Sequence, residues 1–294
     1  MIFPNIGNYK VVRKICKKLC FTLYEAVDEI NEKRRFLKVL DESFHSDGIC
    51  VYHFLNGARL SSLLDSEHVC KIYQYGKVND HYIIVSEPVD SKPLSLFIHE
   101  AFPISLPKIV EVVSKISNTL RHAHLHGVIH GLLNPCSIFV ADNSSVKIDD
   151  FCYYWIPPYL PKIEDAEALY LSYHISPECY QGIGEIDGRA DIYSLGVILL
   201  QFLTDYIPFD GENPKTNKNR RLPISISSLH KLLSDYPKRL ERILVKTMNK
   251  NPEHRFWNLR EFMDELRLLK FETLSFSKAR SRAAKKSIVR KKSK

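Results

Sequence analysis

Two short stretches hold most of the side chains that could do chemistry. The first is RHAHLHGVIH, whose histidines are His122, His124, His126 and His130. Imidazole is a common ligand of zinc and other transition metals, so this spacing raises the question of a metal site. The second is IDDFC, in which Asp149 and Asp150 follow an apolar run. Successive strand residues point to opposite faces, so Asp149 is expected to face away from any site that Asp150 lines.

The pattern of apolar residues predicts the elements that position these groups. Five strand-like runs come first, at Tyr9 to Ile15, Leu23 to Asp28, Arg35 to Leu40, His68 to Tyr75 and Tyr82 to Glu87. A helical spacing interrupts them from Val51 to Leu64. Three further helices are predicted, at Ile109 to His126, at Ile192 to Leu203, where apolar residues lie on nearly every side, and along a one-sided stripe from Leu259 to Leu269. The outline is a small β-rich half followed by a larger helical half, with helices dominating from about Asp90.

Several motifs match one protein family in order and spacing. They are RRFLKVL with Lys38, SEPVD from Ser86 to Asp90 with Val89, IDDFC with Asp150 and Phe151, SPE with Glu178, RADIYSLGVILL with Asp191, and NPEHRF with Arg255. Together they resemble the eukaryotic-like serine/threonine protein kinases of bacterial type. The resemblance implies an α+β, bilobal fold with an N-lobe at 1–89, a C-lobe at 90–272 and a basic tail at 273–294. It also implies that Glu178 pairs with Arg255 and that His130 stacks behind Phe151.

The segment GVIHGLLNPCSIFV departs from the family's catalytic loop, H-R-D-L-x-x-x-N, at the positions that do chemistry. Gly131, Leu132 and Ser137 stand where the family has its arginine, its catalytic aspartate and its metal-binding asparagine. Leucine can neither accept a proton nor carry a charge, so we predict no catalytic residue at that position. Asp150 is left as a weak metal candidate, and Ser137 has a shorter reach than asparagine. The alternative role of Asp150 is a cleft carboxylate paired with Lys38.

The nucleotide site that the resemblance implies is also altered. CKKLCFTL replaces the glycine-rich loop and puts Cys16, Lys18 and Phe21 on glycine positions, where a Cβ obstructs close approach of the backbone to phosphate. Lys18 could itself touch phosphate, but Phe21 could not. The glutamate that clamps the family's lysine falls at Gly57, so Lys38 is predicted to lose its ion-pair partner.

Two aromatic residues fall on the roof and floor of the adenine slot in this resemblance. Phe36 stands where alanine is usual and Phe139 where leucine is usual, beside the hinge positions Ser86 and Val89. We predict that the two rings stack on one another and fill the slot, since burying each is favourable by about 1.5–3 kcal/mol. If Phe36 tips aside, the slot stays open. ATP with Mg²⁺, held through Lys38 and Asp150, is the cofactor that this second arrangement allows; the first predicts none.

Composition and charge place the chain among globular proteins of a reducing compartment. The 294 residues are 45% hydrophobic, and their seven scattered cysteines form no C-x-x-C pair, which favours reduced thiols and a cytoplasmic location. No run of 18 apolar residues and no signal sequence occurs, so a soluble chain is expected.

The basic charge is concentrated at the C-terminus. The net charge is +8, and nine Lys or Arg without an acid lie within 277–294, so the remainder is nearly neutral. This basic tail favours an anionic membrane or an acidic partner over sequence-specific binding of nucleic acid. The histidines are not favoured as a metal site, because His124 and His130 have structural places in the resemblance.

Two principal functions remain open from the sequence. The first is a pseudokinase, a kinase fold that serves as a scaffold or regulatory partner without phosphoryl transfer. The second is a weak or atypical ATP-dependent serine/threonine protein kinase that uses Lys38 and Asp150. A third places the activity in the tail. Tyr153, Tyr154, Trp155 and Tyr159 are expected to pack over the cleft or to bind a partner.

Overall fold

The computed structural model describes residues 5–18, 20–152, 173–181, 186–205 and 226–272. The predictions for the aromatic segment around Tyr153 and for the basic tail at 273–294 lie outside these residues. All seven cysteines lie inside them and carry free thiols. Within the described ranges, no helix combines the length and the apolar character needed to cross a lipid bilayer.

A five-stranded antiparallel sheet forms the first half of the chain. Its strands are β1 (Tyr9–Lys17), β2 (Phe21–Asp28), β3 (Lys33–Leu40), β4 (Ile72–Val78) and β5 (His81–Ser86), in the order β1-β2-β3-β5-β4. The fourth strand begins later than the predicted His68. Val69 and Cys70 instead join the segment at Ile148, through a parallel bridge and a hydrogen bond from the Cys70 N–H to the Ile148 carbonyl oxygen (2.9 Å). Their backbone therefore ties the sheet to the second half of the chain.

Helix α1 (Gly48–Ser62) packs between this sheet and the helical half. The side chain of Asp47 caps its first turn by accepting hydrogen bonds from the N–H groups of Ile49 (3.0 Å) and Cys50 (3.1 Å). The buried face of the helix includes Phe54 and Gly57. The position of α1 thus decides how close the helical half can come to β3.

The second half is mainly helical. A small sheet of β6 (Lys92–Pro93), β7 (Ile138–Val140) and β8 (Val146–Ile148) lies beneath the larger sheet. The helices are α2 (Leu94–Ala101), α3 (Leu106–Leu125), α4 (Pro177–Gln181), α5 (Arg189–Thr204), α6 (Ile226–Leu232), α7 (Lys238–Thr247) and α8 (259–272). The predicted fold class, a small β-rich lobe followed by a larger helical lobe, is confirmed. The exact lobe boundaries stay a prediction.

Helix α5 is the centre of the helical lobe. Every residue from Ala190 to Thr204 is buried, as its apolar character on all sides predicted. Gly196 allows α7 to approach closely, because a Cβ there would lie 2.7 Å from Cγ of Met248 and 3.0 Å from Cβ of Thr247. Apolar residues of α3, α5, α7 and α8 surround this contact and form the main core.

A buried ion pair fixes the far end of the helical lobe. The guanidinium of Arg255 donates to both carboxylate oxygens of Glu178, at 2.6 and 2.7 Å, and also to the carbonyl oxygens of Arg189 (2.9 Å) and Asn249 (2.7 Å). Such a bidentate pair is both strong and directional. Helix α4, the start of α5 and the segment before α8 are therefore held together through one side chain.

We predict that Arg255→Ala lowers the free energy of unfolding by about 3–5 kcal/mol, because it leaves the carboxylate of Glu178 largely buried without its partner. Urea denaturation followed by circular dichroism measures this change. Arg267→Ala is the control, since its exposed guanidinium lies 3.4 Å from Asp264 and should matter by less than about 1 kcal/mol. Equal losses in the two variants would contradict the prediction.

Candidate functional site

Asp191, at the start of α5, positions the loop that corresponds to the catalytic loop of the resemblance. Its carboxylate accepts hydrogen bonds from His124 Nε2 (2.7 Å) and from the backbone N–H groups of His130 (2.9 Å) and Gly131 (2.8 Å). Burial alone would raise the pKa of Asp191, but these donors outweigh it and hold that pKa below its usual range. Gly131 has φ 76°, a left-handed conformation that glycine adopts at little cost.

His130 links this loop to the IDDFC segment. Its Nε2 donates to the carbonyl oxygen of Asp149 (2.9 Å), and its ring lies against Phe151 with 5.0 Å between centroids. Burial lowers the pKa of His130, so the imidazole is neutral, and its Nδ1 faces the N–H of Leu132 at 3.4 Å. The structure thus places His130 behind Phe151, where the resemblance put it.

The polar side chains of the loop bond within the loop itself. Asn134 donates from Nδ2 to the carbonyl oxygen of Leu132 (2.8 Å) and accepts from the N–H of Cys136 (2.8 Å). The hydroxyl of Ser137 donates to the carbonyl oxygen of Asn134 (2.9 Å). The side chain of Leu132 is 6% exposed and belongs to an apolar cluster that also includes Phe21 and Phe36. The one hydroxyl proton of Ser137 is therefore used within the loop, as is one of the two Nδ2 protons of Asn134.

Four largely buried charged side chains form a chain of alternating sign in the cleft. The ammonium of Lys38 donates to Asp149 Oδ1 and to Asp150 Oδ1, both at 2.7 Å. The ammonium of Lys18 donates to Asp150 Oδ2, also at 2.7 Å. Burial opposes these charges, but the carboxylates raise the pKa values of both lysines, and the lysines hold the pKa of Asp150 far below its usual range.

Lys38 lacks the helix glutamate, whose position is Gly57, and the structure has the alternative in which Asp150 is a cleft carboxylate paired with Lys38. The expectation that Asp149 faces away from the site was wrong, because Asp149 is a second partner of Lys38. Strand β8 ends at Ile148, so strict alternation ends there, and Asp150 has φ 61°. That left-handed turn brings two successive side chains to the same ammonium.

Gly57 lets the IDDFC segment come close to α1. A Cβ at this position would lie 3.1 Å from the carbonyl oxygen of Phe151 and 3.5 Å from Cβ of Cys152. The backbone of Phe151 therefore lies against the helix, in the space that a side chain at position 57 would need. This close approach accompanies the pairing of Lys38 with Asp149 and Asp150.

The aromatic ring that is buried beside the four charged side chains is Phe21. Its side chain is 3% exposed, lies 6.2 Å from the ring of Phe54, and has the ammoniums of Lys18 and Lys38 at 5.9 and 5.8 Å from its centroid. The predicted stack of Phe36 on Phe139 is wrong, since the ring contacts of the described residues do not include that pair. Phe36 is buried on β3 against the apolar cluster, and Phe139 is half-buried on β7.

The hinge positions are also close to this cluster. Val89 is half-buried against it. Ser86 is 1% exposed at the end of β5, and its hydroxyl has no hydrogen-bond partner among the described residues. The resemblance assigns these residues to the hinge beside the adenine slot.

The residues present do not fit a magnesium ion in this arrangement. Both oxygens of Asp150 already accept a hydrogen bond from a lysine, and the hydroxyl of Ser137 is directed to Asn134. A hard cation needs several free oxygen ligands. The part of the chain that the structure describes also contains no group of three His, Cys, Asp or Glu side chains that could hold a metal. His122 and His126 lie together, with 4.6 Å between ring centroids, apart from His124, which bonds Asp191.

Residues 10–265, which carry this framework, match the family described as protein kinase domain. The chain belongs to the protein kinase domain family. A probable serine/threonine-protein kinase of Clostridium acetobutylicum is 28% identical over 267 residues, covering 90% of this chain and 40% of that protein. PrkC, a serine/threonine-protein kinase of Bacillus subtilis, is 27% identical over 250 residues, covering 85% of this chain and 38% of that protein.

Solved structures show the same fold. The crystal structure of the Mycobacterium tuberculosis PknI kinase domain superposes with a TM-score of 0.70 at 20% identity, covering 92% of this chain and 98% of that one. This likeness shows that the chain has the protein kinase fold. It spans about 40% of the length of the first curated relatives that it matches.

The sequence identified most of the positions in this kinase domain but not all of their contacts. Lys38, Asp150, Asp191, Glu178 and Arg255 lie where the motifs place them. No motif predicted that Lys18 pairs with Asp150 or that the Phe21 ring is buried beside both lysines. The signal available was the sequence CKKLCFTL itself, in which a cation and an aromatic ring replace glycines beside a strand.

We predict that Asp150→Asn lowers the free energy of unfolding by about 2–3 kcal/mol at pH 7, because charge-assisted hydrogen bonds from two lysines are weakened. The folded pKa of Asp150 is depressed, so its contribution is present above its unfolded pKa of about 4 and is lost as the pH falls towards the folded value. The difference between wild type and variant should therefore shrink by about 1 kcal/mol per pH unit below pH 4.

Urea denaturation at pH 7, 4 and 3 measures this difference. Asp90→Asn is the control, because that carboxylate is 75% exposed beside Arg34 and its pair should be worth less than about 1 kcal/mol. A difference for Asp150→Asn that stays constant from pH 7 to pH 3 would refute the assigned charge state.

Proposed function

We propose that this kinase domain is a pseudokinase, a protein-binding scaffold or regulatory partner that does not transfer phosphoryl groups. The observation that carries the proposal is the occupation of both Asp150 oxygens by Lys38 and Lys18. In protein kinases the aspartate at this position binds Mg²⁺, and the lysine must be in place beside it. Here the same lysine and a second one neutralise that carboxylate within the protein.

The catalytic loop supports the same proposal. Leu132 occupies the position of the catalytic base, and its side chain is packed in an apolar cluster. No proton acceptor is available from an alkyl group, and general-base catalysis by a positioned side chain contributes typically 10²–10⁴-fold. Phe21 is buried where the glycine-rich loop would need open space for phosphate.

A weak or atypical ATP-dependent serine/threonine protein kinase is the second candidate. Lys38 and Asp150 lie together, and the framework of Asp191, Glu178 and Arg255 is in place. The similar proteins of Clostridium acetobutylicum and Bacillus subtilis are named as serine/threonine-protein kinases. Because phosphoryl transfer depends chiefly on positioning and electrostatics, loss of a base lowers a rate without forbidding the reaction.

A thermal-shift titration with ATP and Mg²⁺ separates the two candidates. For the pseudokinase we expect an unchanged melting temperature, because ligand binding requires the Lys18–Asp150–Lys38 contacts to break. A ligand at a hundredfold excess over its Kd stabilises a fold by about 2.7 kcal/mol, which would raise the melting temperature by several degrees.

Incubation with radiolabelled ATP completes the test. Sustained autophosphorylation in wild type that disappears in Lys38→Ala would exclude the pseudokinase and favour the second candidate. Lys77→Ala, an exposed substitution on β4 outside the cleft, controls for general effects of losing a lysine. Label that persists equally in both variants would point to a contaminating kinase.

The proposal also includes a cytoplasmic location and a basic tail that binds an anionic membrane or an acidic partner. Nine cationic residues without an acid lie in 277–294, and each contributes about 1 kcal/mol near an anionic membrane surface. We expect that deletion of residues 277–294 abolishes sedimentation with phosphatidylserine vesicles at low salt. The full chain with neutral phosphatidylcholine vesicles is the control. Undiminished sedimentation of the deletion variant would exclude the tail as the binding segment.

A further inference from the structure

The turn between β1 and β2 reaches across the cleft through a single long side chain. Strand β1 ends at Lys17, and strand β2 begins at Phe21. The N–H of Lys18 donates to the carbonyl oxygen of Phe21 (2.8 Å), which keeps the turn tight. From this turn, the ammonium of Lys18 extends to Asp150, a residue of the helical lobe's IDDFC segment. The ion pair therefore joins two parts of the chain that are far apart in sequence.

The surroundings of the ion pair make it stronger than an ordinary surface pair. Its two side chains are only 17% and 11% exposed, so solvent screens the attraction poorly. The ammonium of Lys18 lies over the ring of Phe21, 5.9 Å from its centroid, and Cys20 on the same turn is 2% exposed. Closing the turn thus buries an apolar surface and a charge pair together.

Lys18 also balances the charges of the cleft. With it, two ammoniums face two carboxylates, and each charged group has an opposite neighbour. Without it, Lys38 alone would face Asp149 and Asp150, and the outer oxygen of Asp150 would lose its donor. An unpaired charge in a buried site is costly, so the closed turn is the arrangement that satisfies Asp150.

We propose that Lys18 is a latch whose ion pair with Asp150 holds the β1–β2 turn closed over the cleft. This inference rests on the proposed function and names the device that regulates access to the same site. Opening of the latch would uncover Cys20, Phe21 and the apolar cluster around Leu132. The turn is then the gate through which any ligand or partner segment reaches the cleft.

Alkylation of Cys20 reports on this opening. Burial raises its pKa well above the ordinary value, so the closed turn protects the thiol from iodoacetamide. In Lys18→Met, which keeps the apolar stem and removes the charge, we expect alkylation of Cys20 to be about tenfold to a hundredfold faster, as for loss of one charge-assisted hydrogen bond. Lys18→Arg, which retains a cation, should stay near wild type.

Matched controls separate local opening from a general loss of structure. Lys17→Met changes the adjacent lysine, which is 65% exposed and lies 3.5 Å from Asp41, and should leave the rate unchanged. Cys70, also buried, lies outside the turn and serves as the internal reference in each variant. Equal rates for Lys18→Met and Lys17→Met, with Cys70 protected in both, would overturn the latch.

Carbodiimide cross-linking of the wild-type protein provides a test that needs no variant. The reagent joins an amine directly to a carboxylate in contact, so we expect a Lys18–Asp150 cross-linked peptide by mass spectrometry. The Lys147–Glu87 pair, at 2.6 Å and 27% and 23% exposed, is the internal control. A linked Lys147–Glu87 pair without any Lys18–Asp150 product would overturn the closed geometry.

These results are distinguishable from those that test the proposed function. Phosphorylation by the wild-type protein would defeat the pseudokinase proposal, while faster alkylation in Lys18→Met would still establish the latch. Conversely, ATP could fail to raise the melting temperature while Cys20 is alkylated at the same rate in all variants. The cleft would then be inactive for a reason other than the Lys18 ion pair, and the latch would be overturned.

Discussion

The arrangement of the cleft depends on pairing four charges that have been largely removed from water. Lys18, Asp150, Lys38 and Asp149 alternate in sign, and each contact between neighbours is 2.7 Å. A buried charge is tolerable only when an opposite charge and hydrogen bonds replace its hydration. That requirement joins the β1–β2 turn, strand β3 and the segment after β8 at one point, and it places the Phe21 ring beside the two ammoniums.

The frame of the helical lobe is built from interactions that do not pass through this cleft. Asp191 holds the backbone of His130 and Gly131, and Arg255 holds Glu178. Both sets of contacts are internal to the helical lobe and its buried helix α5. A kinase fold can therefore keep its shape while the groups that handle a nucleotide are replaced, because shape and chemistry draw on different residues.

The sequence predicts the fold well because apolar periodicity and paired charges are local signals. The helix buried on all sides at Ile192 to Leu203 lies within α5, and the pairing of Glu178 with Arg255 follows from two recognisable motifs. The absence of a catalytic base at position 132 can also be predicted directly from the sequence. The orientation of Asp149 could not be predicted, since it depends on the left-handed backbone of Asp150 just beyond the strand. The sequence also could not predict that Phe21, and neither Phe36 nor Phe139, lies beside the two ammoniums. That position depends on how the β1–β2 turn folds, which residue spacing does not encode.

The contact between Gly57 and Phe151 bears on which side chains α1 could present to Lys38. The carbonyl oxygen of Phe151 lies 3.1 Å from the point where any side chain on Gly57 would begin. A glutamate introduced there would meet occupied space and a lysine already satisfied by two aspartates. An ion pair between a side chain at position 57 and Lys38 would thus require both the main chain of Phe151 to give way and the contacts of Lys38 with Asp149 and Asp150 to break. A single substitution at residue 57 supplies neither change, so the two arrangements of the lysine exclude one another.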